Sequence, residues 1–169
     1  MAAIRQIQAK YDAREDRLLL RIGTEAIDAP GIWLTRRYVE LLLKALKQFA
    51  DADPDVGGLA VPSDREEVKA WKAQKILDQA NFETPFAAEQ EQTEAHVSHP
   101  LAFKLTYKIK DEQLHLTLLP QLGEGINLVV NQEIAVSLTA ILLSAAGKAN
   151  WRLAEDKDPL GTHNLRVVN

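Results

Sequence analysis

Along the first fifty residues the apolar positions change period once. Residues 4–9 interleave Ile4, Gln6 and Gln8 with Arg5, Ile7 and Ala9. A polar turn then leads to Arg17, Leu18, Leu19, Leu20, Arg21 and Ile22. Alternation on both sides of a turn predicts a hairpin, and the leucine run predicts that its second strand is well buried. Residues 23–31, which include Asp28 and Pro30, read as a loop, and Ile32, Trp33 and Leu34 as a third short strand. From Thr35, an acceptable N-cap, the period becomes helical. Val39, Leu42, Leu43, Leu46 and Phe49 share one face, and Glu40, Lys44, Lys47 and Gln48 the other. Pro54 with Gly57 and Gly58 stops this helix.

The second half repeats the order. Residues 101–109 predict a strand and residues 110–112 a turn. In the next strand Leu114, Leu116 and Leu118 alternate with Gln113, His115 and Thr117. A loop at 120–125 leads into residues 126–130, and a helix is expected over about 131–148. Laid over each other at a spacing of about 96 residues, the halves place Tyr11 beside Tyr107, Leu18 beside Leu114, Leu20 beside Leu116 and Ile22 beside Leu118. After a small slip, Gly31, Ile32 and Leu34 fall on Gly125, Ile126 and Leu128.

The expectation is one α+β domain with mainly antiparallel strands. Its first βββα unit covers residues 1–50, a connector 51–100, a second βββα unit 101–150 and a tail 151–169. A three-stranded sheet with one helix is marginal alone, so the units should share a core, as one six-stranded sheet or as two facing sheets. In the connector, Ser63 and Glu66 fit a capping box, which predicts a helix over about 64–80. Its apolar stripe, with Val68, Trp71, Ile76 and Leu77, is interrupted by Lys69 and Lys72. The helix should therefore pack only partly, leaving Trp71 and Lys72 as candidates for a partner-binding helix face. Residues 81–98 read as an exposed connector with one further turn near 87–95.

Composition narrows the function classes. A net charge of -4 lacks the basic excess of a nucleic-acid-binding domain, although a local patch is compatible with it. The absence of cysteine excludes disulfides, thiolate-held zinc and thiol nucleophiles. Charges at positions 5, 10, 12, 14, 15 and 16 leave no room for a signal-peptide core, so a cytoplasmic protein is expected. No membrane partner is expected either, because the apolar run 134–147 is shorter than the roughly 20 residues needed to span a bilayer.

No motif carries chemistry. Neither a Gly-x-Gly-x-x-Gly nor a P-loop pattern is present, and Gly123-Glu124-Gly125 precedes a strand rather than a helix. His96 and His99 stand before a strand with no third ligand at metal-binding spacing, His115 alternates with leucines onto an outer face, and His163 lies in a polar tail. No serine sits in a nucleophile elbow, and Glu15-Asp16 and Glu66-Glu67 read as solvated turn and helix-start charges. No cofactor, metal or catalytic residue is expected.

Two helix features stand out. The last helix has no charge between Glu133 and Lys148. It is either sandwiched inside the monomer or meets a second copy, which would make a homodimer. The first helix opens Thr35-Arg36-Arg37, placing two cations at the positive end of the dipole, whereas the second opens Asn131-Gln132-Glu133 as the dipole favours. Either Arg36 and Arg37 pair with Glu25, Asp28, Glu40 or Asp51, with Trp33 in the core, or Trp33, Arg36 and Arg37 form an anion-reading or partner-binding site.

The phrases YDAREDRLLLRI and WLTRRYVELL, within residues 4–49, resemble a group of short bacterial proteins with an Asp-Arg-Leu-Leu-Leu-Arg strand and a Trp-Leu-Thr-Arg-Arg junction. No activity is attached to that group, so the resemblance implies a bacterial origin and no functional residues. The functional expectation is a non-catalytic protein-interaction or scaffold module. A nucleic-acid accessory protein using the arginine pair is the alternative, and a small enzyme without a recognisable motif the third reading.

Overall fold

Alternation sets two sheets in this computed structural model, which describes residues 4–24, 31–80 and 98–153. Strands β1 (Ile4–Asp12), β2 (Arg17–Thr24) and β3 (Gly31–Leu34) form an antiparallel meander. Their register sets Ile7, Ala9 and Tyr11 opposite Ile22, Leu20 and Leu18, with Ile32 and Leu34 on the same face, and the β2 and β3 members of this set are buried. A second meander contains β4 (Ala102–Lys110), β5 (Gln113–Pro120) and β6 (Ile126–Val130). Leu114, Leu116 and Leu118 point into the core, and half-buried His115 lies on the opposite face, as the alternation requires.

The register aligns the units more simply than the sequence does. Leu18, Leu20 and Ile22 of β2 fall on Leu114, Leu116 and Leu118 of β5. With β2 and β5 so matched, Ile32 and Leu34 fall on Leu128 and Val130, and no slip is needed. Tyr11, the partner of Leu18, corresponds to Ile109, the partner of Leu114, rather than to Tyr107. The cause is turn length: the first hairpin turns through residues 13–16, the second through Asp111 and Glu112 alone, both at positive φ. Both outer strands carry an irregularity at the same level, between Ile4 and Gln6 and between Ala102 and Lys104.

Each meander leads into a helix. Helix α1 (Arg36–Asp51) starts at Thr35, whose hydroxyl accepts from the Tyr38 N–H at 3.3 Å, and it buries Tyr38, Val39, Leu42, Leu46 and Phe49. Short α2 (Pro54–Gly57) and long α3 (Pro62–Gln79) follow. The expected capping box is absent. Pro62, with its preset φ and no N–H to satisfy, takes the first turn of α3, so the start moves upstream to Val61 and Ser63 lies inside the helix. Among its described side chains none is fully buried, as the broken stripe predicts. Helix α4 (Gln132–Lys148) is capped by Asn131, whose side-chain oxygen accepts from the Ile134 N–H at 2.9 Å.

The helices cross between units: α4 packs on β1, α1 packs on β4, and the two helices pack on each other. One contiguous core joins both halves, from Leu18 and Phe49 to Leu114 and Leu142. Among the described residues the sheets stay separate and meet at a parallel bridge between Trp33 and Leu101, where the Trp33 N–H donates to the Pro100 carbonyl at 2.8 Å. Although α4 is apolar all round, only Ala135, Leu138, Leu142, Ala145 and Ala146 are buried, and Leu143 is exposed. It is covered fully on one face rather than sandwiched. No helix among the described residues is long and apolar enough to cross a membrane.

Candidate functional site

A groove of about 1220 Å³ lies between β1, α4 and the end of α3. Six consecutive residues of β1, from Ile4 to Ala9, line it. Successive side chains of a strand point to opposite faces, so a lining that skips none of them runs along the strand edge. That edge is free among the described residues, because β1 pairs only with β2. The α4 wall offers small side chains, Ser137, Ala140 and Ser144, between Glu133 at one end and Lys148 at the other, and Ile76 and Leu77 of α3 close one side. The side-chain oxygen of Gln8, also in the lining, is shielded from solvent and accepts no hydrogen bond. Leaving a buried acceptor unmade costs about 1–3 kcal/mol.

The α3 wall is held by charge more than by apolar contact. Lys72 bonds Asp53 at 2.8 Å and Asp55 at 2.6 Å, and Lys69 bonds Asp51 at 2.6 Å and Glu66 at 2.5 Å. Asp53 is buried and also accepts from the Asp55 N–H at 2.9 Å, capping α2. Hydrogen bonds from Lys72 to Asp53 and then Asp55 raise its pKa. Burial pulls Lys69 down, but the bonds to Asp51 and Glu66 outweigh it and the net shift is upward. The sequence points to this clamp only as the acidic run Asp51, Asp53 and Asp55, which by itself reads as a helix terminator.

A second face lies where α1 runs along β4. The Tyr38 hydroxyl donates to the Lys104 carbonyl at 3.1 Å, and the Tyr107 hydroxyl donates to Gln48 Oε1 at 2.5 Å. At about 100° per residue, Arg37, Leu41 and Lys44 fall beside Gln48 on one flank of α1, within about 60° of arc. These are the counterparts of Glu133, Ser137 and Ala140 on the groove wall of α4. Where the first face has a recess, this one has large exposed side chains: Leu41 at 45%, Tyr107 at 42% and Phe103 at 71%.

The residues singled out from the sequence have different fates. Trp33 is half-buried and meets the His99 ring edge-on at 6.4 Å. Gly31 makes room for that histidine, since a Cβ there would lie 2.8 Å from His99 Nδ1. Arg36 donates to the Arg152 carbonyl and pairs with Glu40 at 3.5 Å, so one arginine of the pair is engaged internally. Arg37 is exposed and makes no ion pair or hydrogen bond among the described residues. The structure thus turns Trp33 toward His99, Arg36 toward the chain after α4, and leaves Arg37 to solvent. Trp71 is 64% exposed with Lys75 Nζ 5.4 Å from its ring centroid, while Lys72 is committed to the clamp.

His96, His163, Glu25, Asp28 and the predicted turn near 87–95 lie outside the described residues. Among the described residues no three His, Asp or Glu side chains converge as a metal site. No protein-family model, no curated protein and no solved structure matches the chain.

Proposed function

We propose that this protein is a non-catalytic interaction module that holds an extended segment of a protein partner along the edge of β1 that pairs with no described strand. The observation that carries this reading is the groove itself: a strand edge facing a helix flank that carries Ser137, Ala140 and Ser144. A peptide joining a strand edge gains main-chain hydrogen bonds, and its alternate side chains need room on the wall beside it. Ser137, Ala140 and Ser144 supply that room. In the same reading the βββα units are a duplication, one of whose helix flanks has been hollowed into a receptor. The resemblance to short bacterial proteins fits a bacterial module of this kind.

Random-peptide display on the full-length chain tests this. Extended, mostly apolar sequences are expected to be selected, and Ser137→Trp with Ser144→Trp is expected to abolish selection while leaving the circular dichroism spectrum unchanged. Undiminished selection by the filled-groove variant would overturn the reading. A concentration-dependent dimer that the same variant dissolves would make a second copy the occupant of the groove.

The nucleic-acid alternative keeps the exposed Arg37, unpaired among the described residues, in its favour. Binding through phosphates falls steeply with salt, whereas a β1-edge interface does not depend on it. A salt titration of binding to single-stranded oligonucleotides therefore separates the two.

A further inference from the structure

The free edge of β4 differs in kind from that of β1. In an antiparallel strand the N–H and C=O of one residue point the same way, and every second residue shares that direction. Asp111 and Glu112, both at positive φ, make a two-residue turn that sets Lys110, Lys108 and Thr106 in hydrogen-bonded pairs facing β5, so Leu105, Tyr107 and Ile109 turn their backbone groups to the other side. Side chains then sort by face. Leu105, Tyr107 and Ile109 share the face of Leu118, Leu116 and Leu114, while Lys104, Thr106 and Lys108 share that of Thr117 and His115. Tyr107 and Ile109 remain exposed.

The charges along this edge are of one sign. Lys104 and Lys108 are exposed and make no ion pair among the described residues, and Arg37 and Lys44 of α1 are likewise unpaired. Lys110 spends its charge on Asp111 at 3.6 Å, and Asp111 with Glu112 marks the end of the basic stretch. Lysines on an edge strand discourage indiscriminate pairing. The same lysines favour one strand over others, namely a strand that carries acids where they stand.

We propose that the β4 edge is a second docking surface, which takes an extended segment of a partner protein alternating acidic and apolar residues. The acids meet Lys104 and Lys108 on one face. The apolar residues meet Tyr107, Ile109 and Leu41 on the other. This surface is distinct from the β1 groove, whose α4 wall carries Ser137, Ala140 and Ser144, and it does not rest on that groove being occupied.

The test uses synthetic eight-residue peptides alternating glutamate with valine, alternating lysine with valine, or carrying the glutamates and valines in blocks. Binding to the full-length chain is read by fluorescence anisotropy at low salt. The alternating acidic peptide is expected to bind about tenfold or more tightly than either control. Lys104→Glu with Lys108→Glu should invert the preference toward the lysine peptide, a gain that misfolding cannot produce. Ile109→Pro removes an N–H that faces no partner strand, so the chain should still fold while losing the acidic peptide. Ser137→Trp with Ser144→Trp should leave this binding unchanged, which separates it from failure of the β1 site. Equal binding of the alternating and block peptides, or a charge reversal without inversion, would overturn the proposal.

Discussion

Asp53 is where the docking of α3 can be dissected, because one carboxylate serves as cap and as ion-pair partner. It caps α2 through the Asp55 N–H at 2.9 Å and bonds Lys72 at 2.8 Å. Asp53→Asn keeps a capping oxygen and removes the charge; Asp53→Ala removes both. A lost cap costs about 1 kcal/mol. The charged hydrogen bond is worth about 1 kcal/mol rather than more, because the Lys72 side chain is 29% exposed and solvent screens it. The asparagine variant should therefore lose about 1 kcal/mol and the alanine variant about 2 kcal/mol. With no fully buried side chain, α3 is expected to open without global unfolding. Native-state hydrogen exchange should show α3 amides speeding up about fivefold in Asp53→Asn and about thirtyfold in Asp53→Ala, with α1 amides unchanged. Equal acceleration of α1 and α3, or none in α3, would refute the idea that charge holds this helix.

The clamp has a pH signature as well. Both lysine pKa values are raised in the folded chain, so their contribution is present below the ordinary lysine pKa and is lost as pH rises through the folded values above 10.5. Exchange of α3 should accelerate in that alkaline range. Burial pushes the Tyr38 hydroxyl up to about 12, so stability should fall between about pH 10 and 12, as the unfolded chain ionises first. Arg37→Glu replaces an unpaired cation at a helix N-terminus by an anion and should stabilise α1 by about 0.3–1 kcal/mol in thermal unfolding, at the expense of any anion binding there. Leu42→Ala, at a fully buried position in the shared core, should cost about 2–5 kcal/mol in urea unfolding, more than either Asp53 variant.

Elements and registers were legible in the sequence wherever one period dominated. Leu114, Leu116 and Leu118 announce a half-buried strand, and the matching spacing of Leu18, Leu20 and Ile22 announces its twin. Turn length was not legible, because polar residues 11–16 fit a strand end as well as a turn, and this set Tyr11 against the wrong counterpart. The start of α3 was misplaced because a serine-glutamate pair and a proline compete for the same turn. The candidate site lay further out of reach. Ser137, Ala140 and Ser144 look like helix interior in the sequence, and only the crossing of α4 onto β1 makes them a wall. Arg36 and Arg37, adjacent in sequence, separate because neighbours on a helix point about 100° apart, so Arg36 meets Arg152 and Arg37 meets solvent.

The crossing of the helices also bears on how the chain is made. On the ribosome, β1 to α1 emerge first, but the strand face carrying Ile7 and Ala9 has its helix in α4, more than a hundred residues behind. The early half must therefore wait, as a meander with an uncovered apolar face, until α4 has been synthesised. Two nascent chains held close together could each lend the other its late helix.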